Sequence, residues 1–210
     1  MKLYIFPIAP NPTKVRLYVA EKAAAGCAIP LEQIVVNLGA GEQHSETHRS
    51  RNPFETLPVL ETDAGQHLIE SLAIIEYFEE LIPEPSMYGP DLESRAVARQ
   101  IERIADLGVL VPIAWIVHAT DSPLGFPANP AVAEHYRAQL SSKLRYLESL
   151  LADGRAFLAG DRVTVADCTL ASGFQFGRFR KLDFTTDYPQ LQRWEAAFRR
   201  RATTTAILTL

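Results

Sequence analysis

Cysteine is scarce in this sequence, and no metal-binding spacing is present. The 210 residues include 2 cysteines, Cys27 and Cys168, which lie far apart in the chain. Neither belongs to a Cys-x-x-Cys pair or to a Cys/His cluster, the patterns that zinc sites and dithiol redox centres require. We therefore expect neither a bound metal nor a protein-borne redox dithiol.

Basic clusters and long apolar runs are also scarce. The chain has 21 Lys and Arg against 25 Asp and Glu, and its one basic run is 199–201. Nucleic-acid-binding domains concentrate positive charge, so we expect no nucleic-acid partner. No uninterrupted apolar run reaches the ~18 residues that span a bilayer, and no signal-peptide pattern follows Met1. We expect a cytoplasmic protein without a membrane partner.

The first part of the chain reads as a small α/β domain. Short β-rich runs alternate with two segments of helical periodicity, in the order β-α-β, loop, β-β-α. The predicted strands are 2–6, 31–38, 58–62 and 67–70, and the predicted helices are 10–26 and 71–82. The polar stretch between them, 39–53, reads as a loop with at most one short helix.

The second part of the chain reads as helical throughout. Residues 83–90 hold three prolines and a glycine, and we interpret them as a linker between domains 1–82 and 91–210. Four helical patterns follow, at 91–119, 131–154, 164–179 and 188–201, and the last places Leu191, Trp194 and Phe198 on one apolar stripe. Pro112 is expected to kink the first of them.

Proline stands immediately before the best strand of the first domain, in Leu57-Pro58. A cis X-Pro bond costs only ~0.5–1 kcal/mol more than trans, so a fold can enforce it. A cis turn would leave the Leu57 amide and carbonyl free to pair with an extended peptide. The alternative is that Pro58 simply begins an edge strand.

An acid and a hydroxyl stand where a helix is predicted to begin, at Glu70 and Ser71. A helix N-terminus favours anions, and Ser71 adds a hydroxyl donor suited to a carboxylate. Glu70 is suited to an ammonium group, so the pair matches the α-amino-acid end of a ligand. The alternative is an ordinary helix cap.

These motifs together resemble the cytosolic glutathione transferases. The resemblance rests on residues 52–78, "NPFETLPVLETDAGQHLIESLAIIEYF", on "APNPTKVRLYVAEK" near the N-terminus, and on "FLAGDRVTVADCTL" at 157–170. It covers essentially the whole chain. The family implies a thioredoxin-like N-terminal domain (α/β) followed by an all-helical C-terminal domain, glutathione as co-substrate, and a homodimer.

The resemblance also implies roles for six residues. Glu70 and Ser71 would hold the γ-glutamyl end of glutathione, and the backbone of Leu57, before Pro58, would pair with the cysteinyl unit. Gln43, with His44 beside it, would meet the glycyl carboxylate. The alternative for those two is plain solvated loop polarity.

This sequence lacks the family's usual catalytic side chain at the positions where it is expected. Family members carry a Tyr, Ser or Cys near the end of the first strand, whereas the Ser or Cys position falls at Ala9 and the Tyr position near Ile5. The remaining polar candidates are Asn11 and Thr13, in a loop similar to the asparagine-type loop of the nu class. Asn11 either faces the glutathione sulfur or only caps the first helix, with Pro12 as first helical residue.

The predicted function is a glutathione transferase whose bound thiolate attacks an electrophilic carbon, a disulfide or a peroxide. The alternative is a glutathione-binding protein of the same fold with little catalysis, which Ala9 favours. In the helical half, Thr164 and Asp167 predict a capping box, and Cys168 is predicted to be core. Trp115 and His118 are interpreted either as lining of a second-substrate pocket or as core.

Overall fold

The computed structural model describes every residue from Met1 to Leu210. The chain forms two compact units, Met1–Pro85 and Ser86–Leu210. The division falls inside the proline-rich segment 83–90.

The first unit is a four-stranded mixed sheet with helices. Strand β1 (Lys2–Ile5) is parallel to β2 (Glu32–Val35) and antiparallel to β3 (Val59–Glu61), which pairs with β4 (His67–Ile69). The strand order is β2-β1-β3-β4. The helices are α1 (Pro10–Ala24), the short α2 (Glu46–Arg49) and α3 (Ser71–Leu81), with 3₁₀ turns at Leu38–Ala40 and Glu42–His44. This architecture confirms the predicted thioredoxin-like fold.

Alternation along β1 places its side chains on both faces of the sheet. Tyr4 packs with Val36 and Val59. Leu3 and Ile5 point the opposite way, because successive strand residues alternate, and they are also buried. Helices α1 and α3 pack against each other, and their fully buried aromatic rings stack with centroids 6.3 Å apart, Tyr18 on Phe78. The central strand β1 is therefore buried on both faces, whereas the edge strand β2 is mostly exposed.

The second unit is all-helical, as predicted. Its helices are α4 (Leu92–Ala105), α5 (Val111–Thr120), α6 (Pro130–Leu150), α7 (Val165–Phe179) and α8 (Pro189–Arg199). Helix α7 is almost entirely buried, and α8 presents its predicted apolar stripe of Leu191, Trp194 and Phe198 to the core.

The long helix predicted at 91–119 is interrupted before its proline rather than at it. A π-helical turn, Asp106–Leu110, joins α4 to α5, and Pro112 lies in the first turn of α5. Proline has no N–H to bond the carbonyl of Gly108 and its ring would crowd that carbonyl. The wider π turn relieves both problems one turn earlier.

The same stretch, Leu92–Thr120, is long and apolar enough to cross a membrane when judged by length and composition alone. Half of its most apolar window is buried inside the unit. Core helices of globular domains share this pattern, so composition alone does not distinguish a core helix from a membrane-spanning one.

Candidate functional site

Two segments of the first unit converge at one end of the sheet through strand register. Val59 pairs with Ile69 across β3 and β4, so the residues beyond them, Pro58 and Glu70, emerge side by side. The Leu57-Pro58 bond is cis, as predicted. The amide and carbonyl of Leu57 have no backbone partner, because the hydrogen bonds of the sheet end at Val59. An unpaired stretch of backbone therefore lies next to the start of α3.

Helix α3 begins at Ser71 without a side-chain cap. Glu70 is the N-cap residue, with φ +71°, and its side chain makes no capping hydrogen bond. The first helical bond runs from the Ile74 N–H to the Glu70 carbonyl, which leaves the N–H groups of residues 71–73 without helical acceptors. The ordinary-cap interpretation of Glu70 and Ser71 is therefore wrong, and the N–H groups at this helix start remain open, which is the arrangement that favours an anion.

The predicted cap role of Asn11 is also wrong. Helix α1 begins two residues earlier than that role requires, with Ala9 rather than Asn11 as N-cap and Pro10 rather than Pro12 as first helical residue. Pro10 fits that position as well as Pro12 does, because the fixed φ of proline suits the first helical turn. Asn11 lies inside this turn, and its Oδ1 accepts a hydrogen bond from the Ser71 hydroxyl at 3.2 Å. The fold thus brings together two predicted site residues 60 positions apart.

Few hydrogen-bond donors remain at the start of α1. Pro10 and Pro12 have no N–H, the Ala9 N–H bonds the Phe6 carbonyl, and the Thr13 N–H bonds the Ala9 carbonyl. The Asn11 backbone N–H is the remaining donor of this turn. Because Ser71 occupies the carboxamide oxygen, the Asn11 NH₂ group remains to donate as well.

Thr13 does not join this group of side chains. It is fully buried, and its hydroxyl donates to the carbonyl oxygens of Ala9 at 2.9 Å and Pro7 at 3.2 Å. A hydroxyl has one proton, so these internal acceptors compete with any ligand. The geometry therefore gives no support to the catalytic role predicted for Thr13.

Gln43 and His44 form a chain of contacts with a third residue. The Gln43 Nε2 lies 3.0 Å from the His44 Nε2, and the His44 Nδ1 lies 2.6 Å from a carboxylate oxygen of Glu55. The other Glu55 oxygen accepts from Arg49. These two bonds hold the pKa of the Glu55 carboxyl below its usual range. Glu55 therefore links the Gln43-His44 pair to the segment that leads into Leu57.

Two buried polar residues, His48 and Asn52, also hold the segment that leads into Leu57 by bonding Thr56. The His48 Nε2 donates to the Thr56 carbonyl at 3.2 Å, and the Asn52 amide donates to that carbonyl and to the Thr56 hydroxyl, each at 2.9 Å. Burial lowers the pKa of His48, so it stays a neutral support. The roles of His48 and Glu55 carry no sequence signal, since both depend on contacts across the loop.

Trp115 is half exposed, so its interpretation as core is wrong. Its ring stacks parallel to that of Tyr136, 5.8 Å away, beside a surface cavity of about 450 Å³ in the helical unit. His118 is half-buried, packs on Phe126 and pairs its Nδ1 with the Ser122 hydroxyl at 2.9 Å. Burial lowers the pKa of His118.

Family comparison agrees with this geometry. Residues 3–86 match the glutathione S-transferase N-terminal domain, and residues 129–197 match the glutathione S-transferase C-terminal domain. The first match contains the sheet end described above, and the second contains α6, α7 and most of α8.

Individual relatives are similar over nearly the full chain. A maleylpyruvate isomerase from a Ralstonia species is 30% identical over 94% of this chain and 91% of its own. The crystal structure of Gtt2 from Saccharomyces cerevisiae has a TM-score of 0.87 at 26% identity, covering 99% of this chain and 100% of that one. A Methylobacillus flagellatus glutathione S-transferase, solved with glutathione bound, has a TM-score of 0.81 at 25% identity and 98% coverage of both chains. This chain belongs to the glutathione S-transferase family.

Proposed function

We propose that this protein binds glutathione and uses its thiolate to attack an electrophilic carbon, a disulfide or a peroxide. The observation that carries the proposal is the meeting of Asn11 and Ser71 beside an uncapped helix start. Donors for a carboxylate and donors for a thiolate lie together there, next to the unpaired backbone of Leu57. Membership of the family supplies the identity of the tripeptide.

The proposed binding mode follows the charges of the ligand. The γ-glutamyl carboxylate meets the open N–H groups of α3, where the helix dipole favours an anion. As a charged acceptor, this carboxylate takes the single Ser71 hydroxyl proton in place of the neutral Asn11 Oδ1. The α-ammonium group meets the exposed carboxylate of Glu70. The cysteinyl unit extends along Leu57 and pairs with its amide and carbonyl. Gln43 and His44 meet the glycyl carboxylate at the other end.

The proposed chemistry depends on a depressed thiol pKa. A free thiol titrates near ~8.5, and lowering that value by ~2 units takes ~2.7 kcal/mol of preferential thiolate stabilisation. The Asn11 N–H and NH₂ groups supply donors at the positive end of α1. Hydrogen bonds to a charged group contribute ~1.5–3 kcal/mol each, so two donors are sufficient. The protein itself supplies positioning and no covalent nucleophile.

The alternative function is a glutathione-binding protein with little catalysis. Ala9, which occupies the position of the family's usual hydroxyl or thiol, favours it. Ultraviolet absorbance of the thiolate, followed through a pH titration of the protein-bound tripeptide, separates the two functions. We expect a thiol pKa below that of free glutathione. An unchanged thiol pKa would instead support the binding protein.

The electrophile is best sought with a panel of substrates. Chlorodinitrobenzene reports conjugation, a hydroxyethyl disulfide reports reduction, cumene hydroperoxide reports peroxidase activity, and maleylpyruvate reports the reaction that the name of the Ralstonia relative describes. We expect turnover with at least one of these to require glutathione. Glutathione binding without turnover of any of the four would favour the alternative function.

The wider proposals follow from family membership. We propose that residues 1–82 form the glutathione-binding domain, that 83–90 are a linker, and that 91–210 form the helical domain. We also propose a homodimer that works in the cytoplasm in detoxification. Light scattering on the purified protein tests the dimer, which has twice the 23.3 kDa chain mass.

A further inference from the structure

Glu55 has a backbone conformation that suits glycine better than glutamate. Its φ is +58°, in the left-handed region that residues with a Cβ rarely adopt. Strained residues of this kind persist where the surrounding contacts hold them, and they concentrate at functional sites. A surface ion pair contributes little to stability, so the bond to Arg49 does not by itself explain a glutamate at this position.

The side chain of Glu55 controls the orientation of its neighbour. Its carboxylate can only accept, so the His44 Nδ1 at 2.6 Å donates to it. In the neutral ring the His44 Nε2 is then an acceptor, and it receives one N–H of the Gln43 amide at 3.0 Å. The amide NH₂ has a second N–H, which can serve a ligand.

Gln43 needs this contact in order to keep its amide in one orientation. The residue is 93% buried, and its Oε1 has no hydrogen-bond partner. Without the acceptor on His44, nothing favours placing the amide nitrogen rather than the oxygen on the ligand side. The contacts therefore run in sequence from Glu55 to His44 to Gln43.

We propose that Glu55 is a positioning residue for recognition of the glycyl carboxylate of glutathione, acting through His44 on the Gln43 amide. The proposal rests on the proposed function, because it assigns the determinant of one end of that binding site. Arg49 neutralises the second Glu55 oxygen, which reduces the repulsion that the carboxylate would otherwise exert on an anionic ligand. Glu55 itself need not touch the ligand.

Calorimetry with two ligands tests the proposal. Glutathione carries the glycyl carboxylate, and γ-glutamylcysteine lacks the glycyl unit but keeps the rest. Glu55→Gly removes the carboxylate and suits the positive φ, so we expect an unchanged or higher Tm. We expect its Kd for glutathione to rise about three- to tenfold, while its Kd for γ-glutamylcysteine stays at the parent value.

Two further variants isolate the mechanism. Glu55→Gln keeps an oxygen that can accept from the His44 Nδ1, so we expect it to retain most of the parent affinity for glutathione. Glu46→Ala removes an equal charge from an exposed position at the start of α2, so we expect it to leave both Kd values unchanged.

Specific results would overturn the inference. An equal rise in both Kd values for Glu55→Gly would show a general loosening of the site. Unchanged values would show that Glu55 has no role in binding. If the parent bound both ligands equally well, glycyl recognition would fail while the proposed function stood. A parent that bound neither ligand would refute the proposed function as well.

Discussion

The helix starts of the two units are built in opposite ways. In the helical unit, side chains satisfy the N–H groups that every helix leaves unpaired at its start. Asp91 and Asn129 accept backbone N–H groups at the starts of α4 and α6, and Glu148 accepts two N–H groups at the start of α8. Helix α7 begins with the predicted capping box of Thr164 and Asp167.

In the first unit, the two longer helices begin without such side chains. The N-cap residues of α1 and α3, Ala9 and Glu70, make no side-chain capping bond. Both helix starts lie at the end of the sheet where the Leu57 backbone is unpaired, and their side chains meet through Ser71 and Asn11. In the function proposed above, the closed helix starts contribute to folding, whereas the open ones keep their donors for glutathione.

Loss of the closed start of α7 should produce the largest effect. Asp167 is fully buried and accepts four hydrogen bonds: from the N–H groups of Leu158 and Thr164, from the Thr164 hydroxyl and from the Trp194 indole. Asp167→Ala leaves these donors buried without partners, at ~1–3 kcal/mol each. We expect the free energy of unfolding to fall by at least ~3 kcal/mol in urea denaturation. Asp161→Ala, at an exposed position, is the control; an equal loss in both variants would contradict the role of Asp167.

The same carboxyl should make stability depend on pH. Burial raises the pKa of Asp167 from 3.8 to about 6, against the four donors that lower it. A folded-state pKa above the unfolded value means that the stabilisation is complete below pH 3.8 and is lost as the pH rises through about 6. The difference between the unfolded and folded pKa values of Asp167 corresponds to ~3 kcal/mol of the free energy of unfolding.

Comparison with a non-ionising variant isolates this dependence. Urea denaturation at intervals from pH 4 to 7 would give the free energy of unfolding of the parent and of Asp167→Asn. We expect the parent to lose stability relative to the variant as the pH rises across that window. A constant difference between the two curves would show that the pKa of Asp167 is not raised.

Features that depend on local sequence were predicted well. The capping box of α7 depends on residues three positions apart, Thr164 and Asp167, and the apolar stripe of α8 depends on helical periodicity. Both were therefore visible in the sequence. The predicted N-cap of α1 lies two residues too late, because Pro10 and Pro12 both suit a first turn and propensity does not choose between them.

Contacts over long sequence separations could not be predicted. The bond between Ser71 and Asn11 spans 60 positions, and the bond of His44 to Glu55 depends on how a polar loop folds back on itself. The positive φ of Glu55 could not be predicted either, because glutamate is not a residue type that favours a left-handed backbone. The mutual arrangement of the candidate site residues could therefore not be predicted from the sequence.

At the open start of α3, removal of the hydroxyl should weaken binding more than folding. Ser71→Ala loses a charge-assisted hydrogen bond to the γ-glutamyl carboxylate. We therefore expect the binding free energy of glutathione to weaken by ~1.5–3 kcal/mol, which raises the Kd about tenfold to a hundredfold. Calorimetry measures it, with Ser50→Ala, at an exposed loop position, as the control. A fall in Tm without a change in Kd would mean that this helix start serves folding, like those of the helical unit.

The open start of α1 should produce the smallest effect, and it should appear in the chemistry rather than in affinity. Asn11→Ala removes the NH₂ donor but keeps the backbone N–H, so we expect the pKa of bound glutathione to rise by about 1 unit, with little change in Kd. Asn11→Asp has the same shape but places a carboxylate beside the sulfur, and like charge should raise the thiol pKa further. Ultraviolet titration of both complexes tests this order. An Asp variant with a thiol pKa equal to the parent's would place Asn11 away from the sulfur, and the open start of α1 would then lack a catalytic purpose.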